Sequence, residues 1–431
     1  MSRPPHLPFS EPSDRMISDL AALNLQTRPT ETRIEIGRQG RELCIYPGQI
    51  GYDLQDELDF LSNRALEPNV FFSARFLAPA MPRLDERRVN FLLMRDRNAE
   101  RNRLRLLMPF STERPGFAVG PSITRIWSNH FAPLGTPLID AEGTAETLDN
   151  LLEALTHDDL RMPQILVLPD LRLNGVFSRM LKAVAMARNL PVAVTDKALR
   201  PMLESEKDAL DYLKDSISSS HMREMRRQWR LLEEKGEVAY NIARQPRDVY
   251  RRFEEFLALE AGGWKGKRRS ALVTDRYHTA FAREAISNLS AIDAVRIHTI
   301  DLNGKAIAAV VVLMMGSEAY TWKTAYAEEY ARYSPGKLLM AELTEWHLDD
   351  PNIIRSDSCA VPDHPIMSRF WQEREEMGTL VVGLTQNSDR DVRQVTGQLH
   401  LYRSTRNMAK MLRDRILSLA ANAKASRVRT D

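Results

Sequence analysis

The chain predicts an α/β fold built on a mixed sheet, and three patterns predict it. Apolar runs of strand length alternate with amphipathic segments of helix length. Some strands are joined by tight polar turns, as antiparallel neighbours are, whereas others are separated by a helix that admits a crossover. The same scheme, a central hairpin followed by a strand and helix, occurs weakly in both halves, as a duplicated unit would.

A chain of 431 residues exceeds one core of ordinary size, so two domains are expected. A net charge of +2 excludes a global polyanion-binding field and leaves only local basic surfaces. The two cysteines, Cys44 and Cys359, lack CxxC spacing, which argues against a disulfide framework or a cysteine zinc site and for a reduced, cytoplasmic protein without a metal. The longest apolar run, Ala306 to Met315, is half the length of a membrane-spanning helix and reads as a buried central strand.

In chain order, residues 1–30 read as a disordered lead-in; "MSRPPHLPFSEPSDR" has no apolar core and is not a signal peptide. "VNFLLM" (Val89 to Met94), the turn "RDRNAERN" and "RLRLLMPF" form a hairpin pattern. "QILVLPD" reads as a strand, "GVFSRMLKAVAMARNL" as a helix with Gly175 near its start, and "PVAV" as a strand. Between Arg200 and Ser220 the chain turns charged and then serine-rich, which sets the boundary between domains at 31–205 and 206–390. Ser220 is the expected cap of the next helix.

In the second half, "AVRIHTID" and "AIAAVVVLMM" flank Asn303-Gly304, a two-residue hairpin turn. "AYTWKTAY" is a third strand, "SPGKLLMAELTEWHL" a helix and "NIIRSDSCA" a fourth strand. Residues 391–431 form a basic amphipathic helix and tail, whose default is to pack on the fold.

Candidate chemistry lies in the second half. On the segment Arg247 to Ala261, Val249, Phe253, Phe256 and Leu257 make an apolar stripe, and Glu260 takes the next position on it. Desolvation there is expected to raise its pKa toward a value useful in proton transfer; the alternatives are that it reaches water or pairs with Lys265. Gly262 and Gly263 then end the helix and bring Trp264 and Lys265 back beside the acid. Arg223, Arg226, Arg227 and Arg230 share one helix face, either a phosphate-binding stripe or a solvated face paired with Glu233 and Glu234. On the third strand, alternation puts Tyr320, Trp322 and Thr324 on one side and Thr321, Lys323 and Ala325 on the other. Arg332, Ser334, Gly336 and Lys337 lead into a helix, with Ser334 able to cap it and Pro335 in its first turn, which forms either an anion site or an ordinary cap. Asp357, Cys359, Asp363 and His364 form a polar cluster. His364 is either a base titrating near neutrality or a loop histidine. Cys359 reads as a small strand residue.

The segments "MRRQWRLLEEKGEV", "FLALEAGGWKGK", "LNGKAIAAVVVLMMGSEAYTWKTAYAEEYARYSPGKLL" and "DSCAVPDHPIMSRFWQER" resemble the GNAT-type acyltransferases of the CelD-like, cellulose-biosynthesis group, which are related in fold to the Fem peptidoglycan-bridge transferases. The likeness spans most of residues 205 to 385, with a fainter echo in "FFSARFL", "LMPFS" and "LGTPLID". It implies tandem GNAT-like domains and an N-acyltransferase that moves an acyl group from acyl-CoA, such as acetyl-CoA, to an amine on a small molecule or glycan precursor. The alternatives are a Fem-like transferase fed by aminoacyl-tRNA and a non-catalytic GNAT-fold binding protein. The donor is expected where two strands splay, on Trp322, Thr324, Arg332, Ser334, Gly336 and Lys337. "RYSPGK" departs from the family's Arg/Gln-x-x-Gly-x-Gly/Ala phosphate loop. The acceptor is expected against Trp264, Lys265, Tyr326 and Asp357, with Glu260, Lys323 and His364 as the catalytic candidates.

Overall fold

The computed structural model describes residues 32–85, 88–97, 102–116, 120–362, 364, 366–405 and 408. The expected lead-in at 1–30 and the last part of the C-terminal segment lie outside the described residues.

Fourteen strands form one sheet. The first half supplies β1 (Thr32–Glu35), β2 (Arg41–Pro47), β3 (Asn90–Arg97), β4 (Asn102–Glu113), β5 (Ile123–Ile126), β6 (Leu138–Ile139), β7 (Ile165–Arg172) and β8 (Val192–Leu203). The second supplies β9 (Val238–Ala243), β10 (Val295–Leu302), β11 (Lys305–Met315), β12 (Glu318–Tyr326), β13 (Arg355–Asp357) and β14 (Glu373–Gly383). The helices are α1 (Gln55–Ser62), α2 (Ala74–Ala80), α3 (Thr144–Ala154), α4 (Val176–Ala187), α5 (Ala209–Ser216), α6 (Ser219–Glu233), α7 (Pro246–Gly262), α8 (Trp264–Lys267), α9 (Arg276–Ser290), α10 (Pro335–Asp349), α11 (Met367–Phe370) and α12, residues 389–405.

Strand order is β1-β2-β3-β4-β5-β7-β14-β8-β13-β12-β11-β10-β9, with β6 on β4. Each half repeats one pattern. Strands β2 to β5 are antiparallel and β5 runs parallel to β7; β9 to β12 are antiparallel and β12 runs parallel to β13. The last strand of each half then crosses over: β14 inserts beside β7, and β8 reaches β13. The exchanged strands pair antiparallel along most of their lengths. The largest of three core clusters draws residues from both halves. Phe76 on α2 meets Phe281 on α9 edge to face with centroids 5.1 Å apart, and Phe71 meets Tyr320 at 5.5 Å.

Several local expectations are met. Asn303 and Gly304 have φ of 50° and 74°, the left-handed pair that a tight hairpin between twisted strands requires. Gly175 caps α4, and Pro335 occupies the first turn of α10. Others shift. α6 is capped by the Ser218 hydroxyl, which accepts from the His221 N–H, rather than by Ser220. The strand seen in "PVAV" extends to Leu203 because it crosses both halves, whereas the fourth strand shrinks to Arg355–Asp357. Along α12, Val392, Val395 and Leu399 bury themselves on Ile165, Val167 and Val381, so the described part of this helix packs on the sheet.

Two core histidines give the fold a pH response. His298 and His347 are fully buried, with Tyr240 OH at 2.6 Å from one Nδ1 and Ser356 OH at 2.7 Å from the other. Burial holds His347 down to about 3, and burial, aided by His347 and Arg296, holds His298 well below its ordinary value. Both rings are therefore neutral in the folded protein and protonate more readily when unfolded. Stability is complete above pH ~6.5 and declines as pH falls from there toward the folded pKa values. Urea midpoints should drop steadily below pH ~6.5, and His347→Gln should flatten the drop. A midpoint insensitive to pH between about 6.5 and 4.5 contradicts this assignment.

Candidate active site

Strands β12 and β13 pair over three residues only, Glu318–Tyr320 against Arg355–Asp357. The Thr321 hydroxyl closes the fork by donating to the Ser358 carbonyl at 2.8 Å. Beyond it the chains separate around a cleft of about 380 Å³. One wall is Thr321 to Tyr326, another the segment Ser358 to Val361 with His364, and a third the junction of α7 and α8. A bulge at Trp322 breaks the pairing of β12 with β11, since Val311 faces Lys323 and Val312 faces Thr321. The simple two-sided alternation expected for this strand therefore fails, and residues 321–326 all reach the cleft.

Glu260 ends the buried stripe of α7 and is 3% exposed. It is not an unpaired acid. Oε1 accepts from Lys265 Nζ at 2.9 Å, and Oε2 accepts the Leu272 N–H at 2.8 Å. Lys265 Nζ also donates to the Thr324 carbonyl at 2.9 Å, pinning α8 to β12. Of the readings open for Glu260, pairing with Lys265 is the one observed, and Lys265 is committed rather than available to steer an anion. The turn works as the glycines suggested, with one difference. Gly262 lies inside the helix, Gly263 caps it, and the close approach belongs to Gly266, where a Cβ would lie 1.8 Å from the Ala261 carbonyl. Trp264 stands at the cleft with 45% exposure.

Lys323 lies against two aromatic rings. Its ammonium lies 4.4 Å from the centroid of Phe131 and 5.8 Å from that of Trp322. Burial, reinforced by the nearby Lys265 charge and opposed by Glu260 and Cys359, brings its pKa down to about 8. Trp322 is itself buried and donates its indole N–H to the Phe131 carbonyl at 2.8 Å, so it braces the wall. His364 accepts the Met367 N–H on Nδ1 at 3.2 Å, and burial keeps it below the near-neutral titration expected for a loop histidine. Cys359 follows β13 with φ 50° rather than lying in a strand; burial and Asp357 push its thiol far up and leave it a poor nucleophile.

The fork does not gather every candidate. Gly336, at the start of α10, lines the cleft, and a Cβ there would meet only the Tyr326 ring, at 3.7 Å. Ser334 makes no side-chain cap; it adopts φ 52° and its carbonyl accepts from Lys337 at 2.8 Å. Ser334 and Lys337 face a small neighbouring cavity with His221, Glu224 and Arg369, and Arg332 lies over the Tyr333 ring at 4.6 Å. Asp357 is fully buried behind the fork. Burial alone would raise its pKa, but Arg200 at 3.2 Å and Arg172 at 3.5 Å hold it below the usual carboxylate range. It is a structural ion-pair partner, not a cleft contact. Asp363 lies outside the described residues. Arg223, Arg226, Arg227 and Arg230 are exposed along α6; Arg227 pairs with Glu224 at 2.8 Å, and Glu233 instead accepts from Trp229. His130 and Thr321 also line the cleft. Nothing in the sequence marks His130, because it reaches the cleft only through contact between the halves.

Residues 219–353 match the family model of the acetyltransferase (GNAT) domain. The second half contains a GNAT-type acetyltransferase domain. No curated protein matches the chain. Among solved structures, FemX superposes with TM-score 0.51 at 9% identity, covering 79% of this chain and 98% of that one. A conserved protein of unknown function from Bacteroides thetaiotaomicron reaches TM-score 0.47 at 11% identity, covering 77% and 97%. A tandem GNAT protein from the clavulanic acid biosynthesis pathway reaches 0.37 at 11% identity, covering 80% and 99%. At such identities the likeness to FemX speaks for the fold alone, and that fold is the mixed α/β, tandem GNAT-like one expected from the sequence. Among the described residues no helix is long and apolar enough to cross a membrane, and no cluster of three or more His, Cys, Asp or Glu is placed to hold a metal.

Proposed function

We propose that this chain is an N-acyltransferase that moves an acyl group from acyl-CoA to an amine, with its two units dividing near residue 205. The observation that carries the reading is the cleft at the β12/β13 fork, inside the segment that matches the GNAT domain and lined by a lysine with a lowered pKa. The donor's thioester lies along β12. Its phosphates approach the N-terminus of α10 at Gly336, where the helix dipole favours an anion. The amine nitrogen attacks the thioester carbonyl, the C–S bond breaks and CoA leaves as its thiolate. Lys323 Nζ takes the proton from the attacking nitrogen. Glu260 acts one step back, fixing Lys265 against β12. Backbone N–H groups around the Trp322 bulge stabilise the developing oxyanion. The resemblance to the CelD-like group directs the acceptor toward envelope or exopolysaccharide precursors.

A second reading, transfer from aminoacyl-tRNA, is favoured by one observation. The arginines of α6 are exposed, and α6 shares a cavity with Ser334 and Lys337 at the start of α10. Melting experiments separate the two. Acetyl-CoA at a hundred times its Kd should stabilise the fold by about 2.7 kcal/mol and raise Tm by a few degrees. Salt-sensitive stabilisation by tRNA without any acetyl-CoA effect selects the second reading, and silence toward both selects a non-catalytic binding protein.

A further inference from the structure

Among the described residues two lysines line the cleft, and their surroundings differ. Lys265 Nζ is engaged by the Glu260 carboxylate and the Thr324 carbonyl, each at 2.9 Å. Lys323 Nζ makes no hydrogen bond or ion pair among the described residues; it lies over the rings of Phe131 and Trp322. The titratable groups around it come from every wall: Glu260 from α7, Lys265 from α8, Cys359 just past β13 and His130 from the first half. One cleft therefore holds a pinned amine and an unpinned one.

Burial without a hydrogen-bond acceptor disfavours an ammonium, so Lys323 gives up its proton more readily than an ordinary lysine and then carries a free lone pair. With an amine acceptor bound, that lone pair takes the acceptor's proton. With the acceptor absent, it meets the donor's carbonyl carbon instead, because the thioester lies along the same strand, β12. A lysine amine freed of its proton in an apolar setting is a competent nucleophile. Lys265, tied to two oxygens, is not placed to compete.

We propose that Lys323 is a site of self-acylation, modified by the chain's own acyl-CoA when the acceptor is missing, and that the modification switches the activity off. The inference rests on the acyltransferase reading. Nζ bonds to the acyl carbon, the C–S bond breaks with its electron pair on sulfur, and the departing CoA thiolate takes up the proton that Nζ sheds. The product is a neutral secondary amide, which lies against the two rings without a buried charge and has no basic lone pair left. The test incubates the full chain with acetyl-CoA and no amine, then maps its peptides by mass spectrometry. A single acetyl group on Lys323 is expected, with release of one equivalent of CoA. Occupancy at Lys265 should be lower by roughly tenfold or more, since only an amine with a free lone pair attacks. The acetyl group should survive hydroxylamine, as an amide does and a thioester on Cys359 does not. Activity toward an amine added afterwards should fall in proportion to the occupancy, and an amine present from the start should protect. Lys323→Arg, stabilised by acetyl-CoA as the unaltered chain is, should release no CoA without an acceptor. An unmodified Lys323 in a chain that acetyl-CoA stabilises, label spread evenly over Lys265 and the surface lysines, or a hydroxylamine-labile adduct overturns the proposal and leaves the acyltransferase reading standing. Failure of acetyl-CoA to stabilise the unaltered chain removes that reading and the proposal with it.

Discussion

Lys323→Met should lower the rate of acyl transfer by about 10²- to 10⁴-fold, the range a positioned general base contributes, with acetyl-CoA binding nearly unchanged. The side chain lies against Phe131 and Trp322, and methionine keeps most of that packing while removing the amine. The pH profile supplies the sharper evidence. Lys323 is held down to about 8 by burial and Lys265, against the opposing pull of Glu260 and Cys359. Only the deprotonated amine accepts a proton, so the rate should climb with pH through about 8 and level off above it. Lys323→Arg keeps a cation but cannot deprotonate in this range, and should be as inactive as the methionine variant. Release of CoA from acetyl-CoA in the presence of an amine acceptor measures all three. An arginine variant with full activity would reduce Lys323 to a fixed charge and move the base elsewhere.

What the sequence could show of this arrangement was local. The Asn303-Gly304 turn, Pro335 at the start of α10 and the buried stripe ending at Glu260 each depend on neighbours a few residues apart, and each is legible without the fold. The state of Glu260 was only half legible. Its burial follows from periodicity, but the capture of both oxygens by Lys265 and Leu272 depends on Gly266 letting α8 press on the end of α7. Ser334 fails as a cap because φ at that position is positive, which composition does not announce. The bulge at Trp322 is invisible because period-two reasoning assumes uninterrupted pairing. Strand exchange is the largest omission. Pairing β14 with β7 joins residues about two hundred positions apart, and no pattern within either strand specifies that partner. His130 and Asp357 owe their places to the same long-range assembly.

Arg172→Met should be the most damaging single change to the fold, costing about 3–5 kcal/mol, as loss of one partner of a buried ion pair does. Arg172 ends β7 and is 2% exposed. Its two Nη atoms lie 2.9 and 2.7 Å from the Glu318 carboxylate at the start of β12, and Asp357 at the end of β13 is 3.5 Å away. Asp357 is shared with Arg200 of β8. Four strands from both halves therefore meet in one dry charge network directly behind the fork. Methionine in place of Arg172 leaves buried Glu318 with only the Tyr320 hydroxyl at 2.9 Å and the more distant Arg355 at 3.7 Å, so the loss should exceed that of an ordinary large-to-small change. Adding Glu318→Gln removes the stranded charge and should recover part of it, which a double-mutant cycle in urea would read directly. Because the network holds β12 against β13 where they begin to diverge, stabilisation by acetyl-CoA should weaken in Arg172→Met and return partly in the double variant. A single variant with an unchanged urea midpoint would mean that the exchanged strands, not this network, hold the two halves in register.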